Sequence, residues 1–181
     1  MGRSFDQVFE SEYRPLRGYL YRRLGSSQAD ELAAETFAIA YRRWDDLDPS
    51  RPARPWLYGI AANLLRHQWR KERRMLRAYA RSGKDQTPAQ GEDASVERAD
   101  AEAQKRSLAA ALAELRTGER EVLLLHAWAD MNDAEIAEAL SLPIGTVKSR
   151  LHRARKRMRN RLAHSGQVEV KALTTTSEEP R

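Results

Sequence analysis

The chain contains no cysteine, which excludes disulfides and thiolate metal sites. It has no apolar run approaching the ~18 residues a membrane span requires. Its opening residues, Met1-Gly2-Arg3-Ser4-Phe5-Asp6, lack an apolar signal core. A cytoplasmic protein that does not insert in membranes is therefore expected. Histidine is scarce, with four residues at 67, 126, 152 and 164 and no pair at helical ligand spacing, so no metal or other cofactor is expected. There is no Gly-x-x-x-x-Gly-Lys phosphate loop, no acid cluster spaced for two metals and no nucleophile–base pair. An enzyme, such as a nuclease, is the reading these absences disfavour most. One more absence is local: between 148 and 161 there is no acid, while eight Lys or Arg stand there. With a net charge of +6, the chain favours polyanions.

What the chain does have is helical periodicity. Phe5, Val8, Phe9, Leu16, Leu20 and Leu24 are spaced for helix, with Pro15 expected to split the segment in two and Gly25 to end it. Ser27-Gln28-Ala29-Asp30 has the form of a capping box for a helix whose stripe is Ala33, Phe37, Ala40, Tyr41 and Trp44. Three prolines and three aspartates between 45 and 55 predict a stiff loop. Pro55 then opens a helix over about 55–74. One face carries Leu57, Ile60, Ala61 and Leu64; the other carries Asn63, Arg66, His67, Arg70 and Arg74. Periodicity disappears over 81–95, and from 84 to 104 there are six acids against two bases. Beyond it, Leu108, Leu112 and Leu115 mark one helix, and Thr117 is the expected N-cap of a second with Val122, Leu123, Leu125 and Trp128. The expected fold is all-α: two small helical domains joined by a flexible linker, the second containing a helix-turn-helix. The expected bounds are 1–74, an acidic linker 75–105, 106–162 and a disordered tail 163–181.

The helix-turn-helix is argued from spacing. Asn132-Asp133-Ala134-Glu135 is a capping box for a short helix with Ile136, Ala137 and Leu140. Ser141-Leu142-Pro143-Ile144-Gly145 supplies the turn, and Thr146 the expected cap of a last helix to about Leu162. Val147, Leu151, Ala154 and Met158 recur at intervals of four, three and four, a buried stripe. The other face offers Lys148, Ser149, His152, Arg153 and Lys156, and base readers cluster at the N-terminal end of such a helix. Arg155, Arg157 and Arg159 suit phosphates or solvent.

The string Gly145-Thr146-Val147-Lys148-Ser149-Arg150-Leu151-His152-Arg153-Ala154-Arg155 resembles the −35-reading domain of extracytoplasmic-function sigma factors. The segments 119–125 and 134–140 fit the same domain in order and spacing. That resemblance implies promoter contacts from Lys148, Ser149, Arg150, His152, Arg153 and Lys156. Ser141 stands where the family often has Gly. Asp30-Glu31-Leu32-Ala33-Ala34-Glu35-Thr36-Phe37 resembles the segment that grips the polymerase clamp helices, which implies core-polymerase contacts from Asp30, Glu31, Leu32, Glu35 and Phe37. Here Ala34 replaces a common Gln and Glu31 a common Asp. Residues 48–63 resemble the −10 segment, whose loop captures a flipped base. The implied −10 contacts are Arg51, Arg54, Trp56, Asn63, Arg66, His67 and Arg70. Trp56 reads either as a stacking platform or, the reading favoured, as a core aromatic beside Leu57. Asn63 suits either a base or the loop backbone.

The resemblance implies a factor that binds core RNA polymerase, at its clamp and flap, and directs promoter-specific initiation. It also implies an anti-sigma partner. The alternative is an autonomous helix-turn-helix regulator that binds duplex DNA without polymerase. The two promoter elements lie on the order of 85 Å apart at ~3.4 Å per base pair. Residues 75–105 as coil would span only ~30 Å, against ~100 Å when stretched. The linker is therefore expected to be held extended.

Overall fold

The computed structural model describes residues 4–82 and 93–164, with residues 67, 93–97 and 164 described in backbone only. The order is α1 Phe5–Leu24, α2 Ser26–Arg42, a 3-10 turn Trp44–Asp46, α3 Ala53–Arg81, α4 Asp93–Glu114, α5 Thr117–Trp128, α6 Asp133–Leu140 and α7 Ile144–His164. The architecture is all-α, as expected. Among the described residues no helix is long and apolar enough to cross a membrane.

Ser4 opens α1. Its hydroxyl accepts from the Gln7 N–H at 3.3 Å, and the Gln7 side chain accepts from the Ser4 N–H at 3.1 Å. Pro15 does not divide this helix, which runs through it unbroken. The missing N–H forfeits one backbone bond, but Leu16, Tyr19 and Leu20 on the next turn are fully buried, and that burial holds the helix together. Gly25, at φ +85°, ends α1 in a conformation other residues resist. Gly25 is also the N-cap of α2, with no side-chain cap bond, so the capping box expected at Ser27–Asp30 does not form. Asp30 lies inside the helix, and its carboxylate pairs with Arg17 of α1.

Helix α3 starts at Ala53, two residues before Pro55, which fits within the first turn because no helical partner awaits its N–H there. The helix also outruns its expected end at 74. Glu72 is buried, Leu76 packs on the core, and the Tyr79 hydroxyl donates to Glu102 of α4 at 2.5 Å. Of the expected linker, residues 75–81 and 93–105 are thus helical, with α3 and α4 packed together. Residues 83–92, and the expected tail from 165 on, lie outside the described residues.

In the second module, Arg116 rather than Thr117 is the N-cap of α5. The box at α6 forms as expected. Asn132 Oδ1 accepts from the N–H groups of Ala134 and Glu135, both at 3.0 Å, and Glu135 accepts from the Asn132 N–H at 2.9 Å. Ser141 follows in left-handed backbone, φ 52°, ψ 48°. Helix α7 begins at Ile144, which places Thr146 in its first turn rather than at its cap.

The two modules do not stand apart. A single apolar core runs from Leu16, Leu57 and Leu65 to Leu123, Ile136 and Leu151. At the seam lies a buried charge network. Arg23 of α1 meets Glu72 of α3 at 2.8 Å and Glu121 of α5 at 2.7 Å, and donates to the Tyr19 hydroxyl at 2.6 Å. Arg120 of α5 reaches Glu72 at 3.5 Å. Two cations balance two anions, although the cost of taking them out of water offsets much of their attraction. Nearby, α3 and α6 approach so closely that a Cβ on Gly59 would lie 2.7 Å from the Ala139 carbonyl oxygen.

Candidate nucleic-acid interface

Helix α7 is two-sided. Val147, Leu151, Ala154, Met158 and Leu162 are all buried. That stripe packs the helix on α4, α5 and α6 and fixes which face looks outward. Lys148, Ser149, His152, Arg153 and Lys156 are exposed on the other side of the helix. The Ser149 hydroxyl donates back to the Thr146 carbonyl at 3.0 Å, leaving its lone pairs outward. Arg150 departs from the group. It is half-buried, its guanidinium packs over Gly118, and it lines a cleft between the modules with Arg66, Trp69 and Glu121.

The arginines beside this exposed strip do more than meet solvent. Arg155 is half-buried, 2.8 Å from His126 Nε2, while His126 Nδ1 lies 3.1 Å from the Met131 carbonyl oxygen. Arg153 and Arg157 both turn their Nε toward the buried carboxylate of Glu119, at 3.4 and 3.5 Å. Arg161 meets Glu114 at 3.0 Å. Arg155 is therefore a structural residue rather than the free phosphate contact its charge suggests.

In the first module, the proline loop is ordered from within. Asp48 accepts from the N–H and hydroxyl of Ser50, at 2.9 and 2.7 Å, and these bonds hold its carboxyl below the ordinary carboxylate range. Arg51 and Asn63 are exposed and Trp56 is partly buried; they line a cleft closed on its far side by Glu138, Ala139 and Ser141. Trp56 packs on the core and lies edge-on to Trp44, centroids 6.2 Å apart, which suits the core reading. Arg51 is paired across the seam with Glu138 at 2.9 Å. Arg54 is half-buried. It donates to the Ala129 carbonyl, lies 3.5 Å from Glu12 and sits over the Tyr58 ring, so it ties α3 to its neighbours rather than facing outward. Arg66 and Arg70 are exposed on α3, and the side chain of His67 lies outside the described residues.

On α2 the acids and the apolar residues part company. Asp30, Glu31 and Glu35 are exposed. Leu32 and Phe37, expected to touch polymerase, are 3% and 4% exposed and belong to the core. They set the orientation of the acidic face and do not form it.

Together these features define a helical protein with two basic modules, one of them a helix-turn-helix, and an acidic outer helix face. Two family descriptions match it: "Sigma-70 region 2" over residues 8–75 and "Sigma-70, region 4" over residues 105–158. Among curated relatives, CnrH of Cupriavidus metallidurans is 31% identical over 137 residues, covering 73% of this chain and 72% of CnrH. SigW of Bacillus subtilis is 31% identical over 155 residues, with 78% and 80% covered. SigL of Mycobacterium tuberculosis is 31% identical over 161 residues, with 88% and 89% covered. A solved structure of CnrH in complex with the cytosolic domain of CnrY superposes with a TM-score of 0.64 at 27% identity, covering 88% of each chain. RpoE in complex with the anti-sigma factor NepR, from Bartonella quintana, shares the fold with a TM-score of 0.60 at 24% identity, covering 88% of this chain and 96% of RpoE. The chain belongs to the extracytoplasmic-function RNA polymerase sigma factors, which direct polymerase to promoters.

Proposed function

We propose that α7 reads the −35 element through Lys148, Ser149, His152, Arg153 and Lys156, while Arg51, Asn63, Arg66, His67 and Arg70 engage the opened −10 element. The observation that carries this reading is the two-sidedness of α7: an exposed basic strip directly opposite a buried apolar stripe, as a major-groove helix needs. Asp30, Glu31 and Glu35 dock on a basic surface of the polymerase clamp, complementary in charge. The second module docks on the flap. The factor works in the cytoplasm beside polymerase, without catalysing a reaction of its own. It is held in check by an anti-sigma partner, the kind of protein that NepR is for RpoE.

Reading both elements requires the modules to part. The elements lie on the order of 85 Å from each other, whereas Arg51 of one module touches Glu138 of the other at 2.9 Å. The reading state is therefore an open arrangement, formed on polymerase. Run-off transcription with bacterial core polymerase tests the whole reading. Starts confined to promoters that carry both elements are expected only when the chain is added. Starts no more selective than those of core alone would refute it, as would tight, specific binding of duplex promoter by the chain without polymerase.

A further inference from the structure

We infer that Glu119 is a positioning residue for −35 recognition, acting through Arg153 and Arg157; this rests on the reading of α7 just proposed. Glu119 is the third residue of α5, outside the recognition helix, and is 3% exposed. Its two oxygens divide the work: Oε1 faces Arg153 Nε at 3.4 Å and Oε2 faces Arg157 Nε at 3.5 Å. The two arginines are one turn apart on α7, and their side chains remain about half exposed, 52% and 45%. A carboxylate at Nε engages the inner edge of each guanidinium. The four Nη–H donors of each are left for bases and phosphates.

Three physical consequences follow from that geometry. Like charges at this spacing repel, and the carboxylate between them cancels the repulsion. A free arginine loses rotamer freedom when it grips a base, and anchoring at Nε removes part of that loss beforehand. Registration of the Nη edge against a base pair is fixed by protein rather than found on DNA. The competing role is plain capping, because Glu119 also accepts from the Arg116 N–H at 3.4 Å. The two roles separate chemically. Glutamine serves in a capping box as well as glutamate does, yet a Glu119→Gln amide has one acceptor and turns a donor toward one of the arginines.

The test uses the full chain bound to core polymerase and a promoter series whose −35 element is varied one base pair at a time. Glu119→Gln is expected to lose about tenfold in discrimination at the base pair Arg153 reads, the size of one good side-chain–base contact. Its melting temperature should stay close to that of the unaltered chain. Arg153→Ala should lose the same discrimination, and adding Glu119→Gln to it should change little further, because two residues acting through one contact are not additive. A uniform loss across all promoters, or full additivity, overturns the role of Glu119 and leaves the reading of α7 standing. An Arg153→Ala variant with unchanged −35 preference overturns the reading of α7 itself. If Glu119→Gln fails to fold, hydrogen exchange at arginine Nε in the unaltered chain decides the question. Exchange at Arg153 slower than at exposed Arg159 supports the anchor, and equal rates refute it.

Discussion

Ser141 holds left-handed backbone, φ 52°, at the C-cap of α6, where the chain turns toward α7. For a residue with a Cβ that conformation costs roughly 1–2 kcal/mol. Glycine would remove the strain but return part of the gain through a more flexible unfolded chain. Ser141→Gly should therefore stabilise the protein by about 0.5–1 kcal/mol, read as a rise in urea midpoint at unchanged slope. Tyr58 makes a different residue-scale prediction. Its hydroxyl is buried without a hydrogen-bond partner, and burial pushes its pKa up to about 12, with Arg54 opposing. In the unfolded chain the phenol ionises near pH 10. A folded pKa above the unfolded one means the contribution is intact below about pH 10 and is lost as the pH rises toward 12. Over that window the loss is on the order of 2 kcal/mol. Tyr19, buried against Arg23, is pushed the same way. Tyr58→Phe should remove its own share of the alkaline slope in unfolding free energy, and an unaltered slope would contradict the assignment.

At the scale of elements, what the sequence made legible depended on whether a local signal acted alone. The Asn132 box and the stripe of α7 were readable because capping and 3.6-residue burial are local and agree. Pro15 misled because a backbone penalty met a larger tertiary gain that sequence does not display. The full length of α3 is not legible because what holds residues 75–81, the packing of Leu76 on the core and the Tyr79 bond to Glu102 of α4, is tertiary; Glu72, the one acid in the basic stretch 66–74, is the available hint of a buried ion pair. The roles of Arg54, Arg150 and Arg155 were hidden for a related reason: charge marks a residue as cationic but not which neighbour it faces. The Pro15 reading has a measurable consequence. Inside a helix, proline is roughly 3 kcal/mol worse than alanine before its stiffening of the unfolded chain is counted. Pro15 is exposed, so Pro15→Ala should stabilise the chain by about 1–2 kcal/mol without altering promoter choice. Chemical denaturation beside run-off transcription checks both halves.

At the scale of the whole molecule, the seam between modules combines two features that suit reversible contact. Its polar centre, Arg23, Glu72, Arg120 and Glu121, is neutral as a set, and each charge can recover hydration when the modules part. Its backbone approach at Gly59, where an added Cβ would lie 2.7 Å from the Ala139 carbonyl oxygen, admits no side chain. Any larger residue at 59 must push α6 from α3, because the obstructing atom is a backbone carbonyl oxygen that a rotamer change does not move. Within α3 itself leucine is a better helix former than glycine by close to 1 kcal/mol, so Gly59→Leu should leave the first module folded while disfavouring the closed arrangement. Small-angle scattering should then show a larger radius of gyration than for the unaltered chain, with helix content retained by circular dichroism. The free chain should also bind a −35 duplex more tightly, because the helix-turn-helix is released when α6 no longer lies against α3 and Glu138 no longer draws Arg51 across the seam. Transcription by the assembled holoenzyme should change less than either quantity if, as proposed, the modules part on polymerase. A Gly59→Leu chain as compact as the original, with the same affinity for duplex, would mean that the seam yields without opening and that its closure does not hold back the reading face.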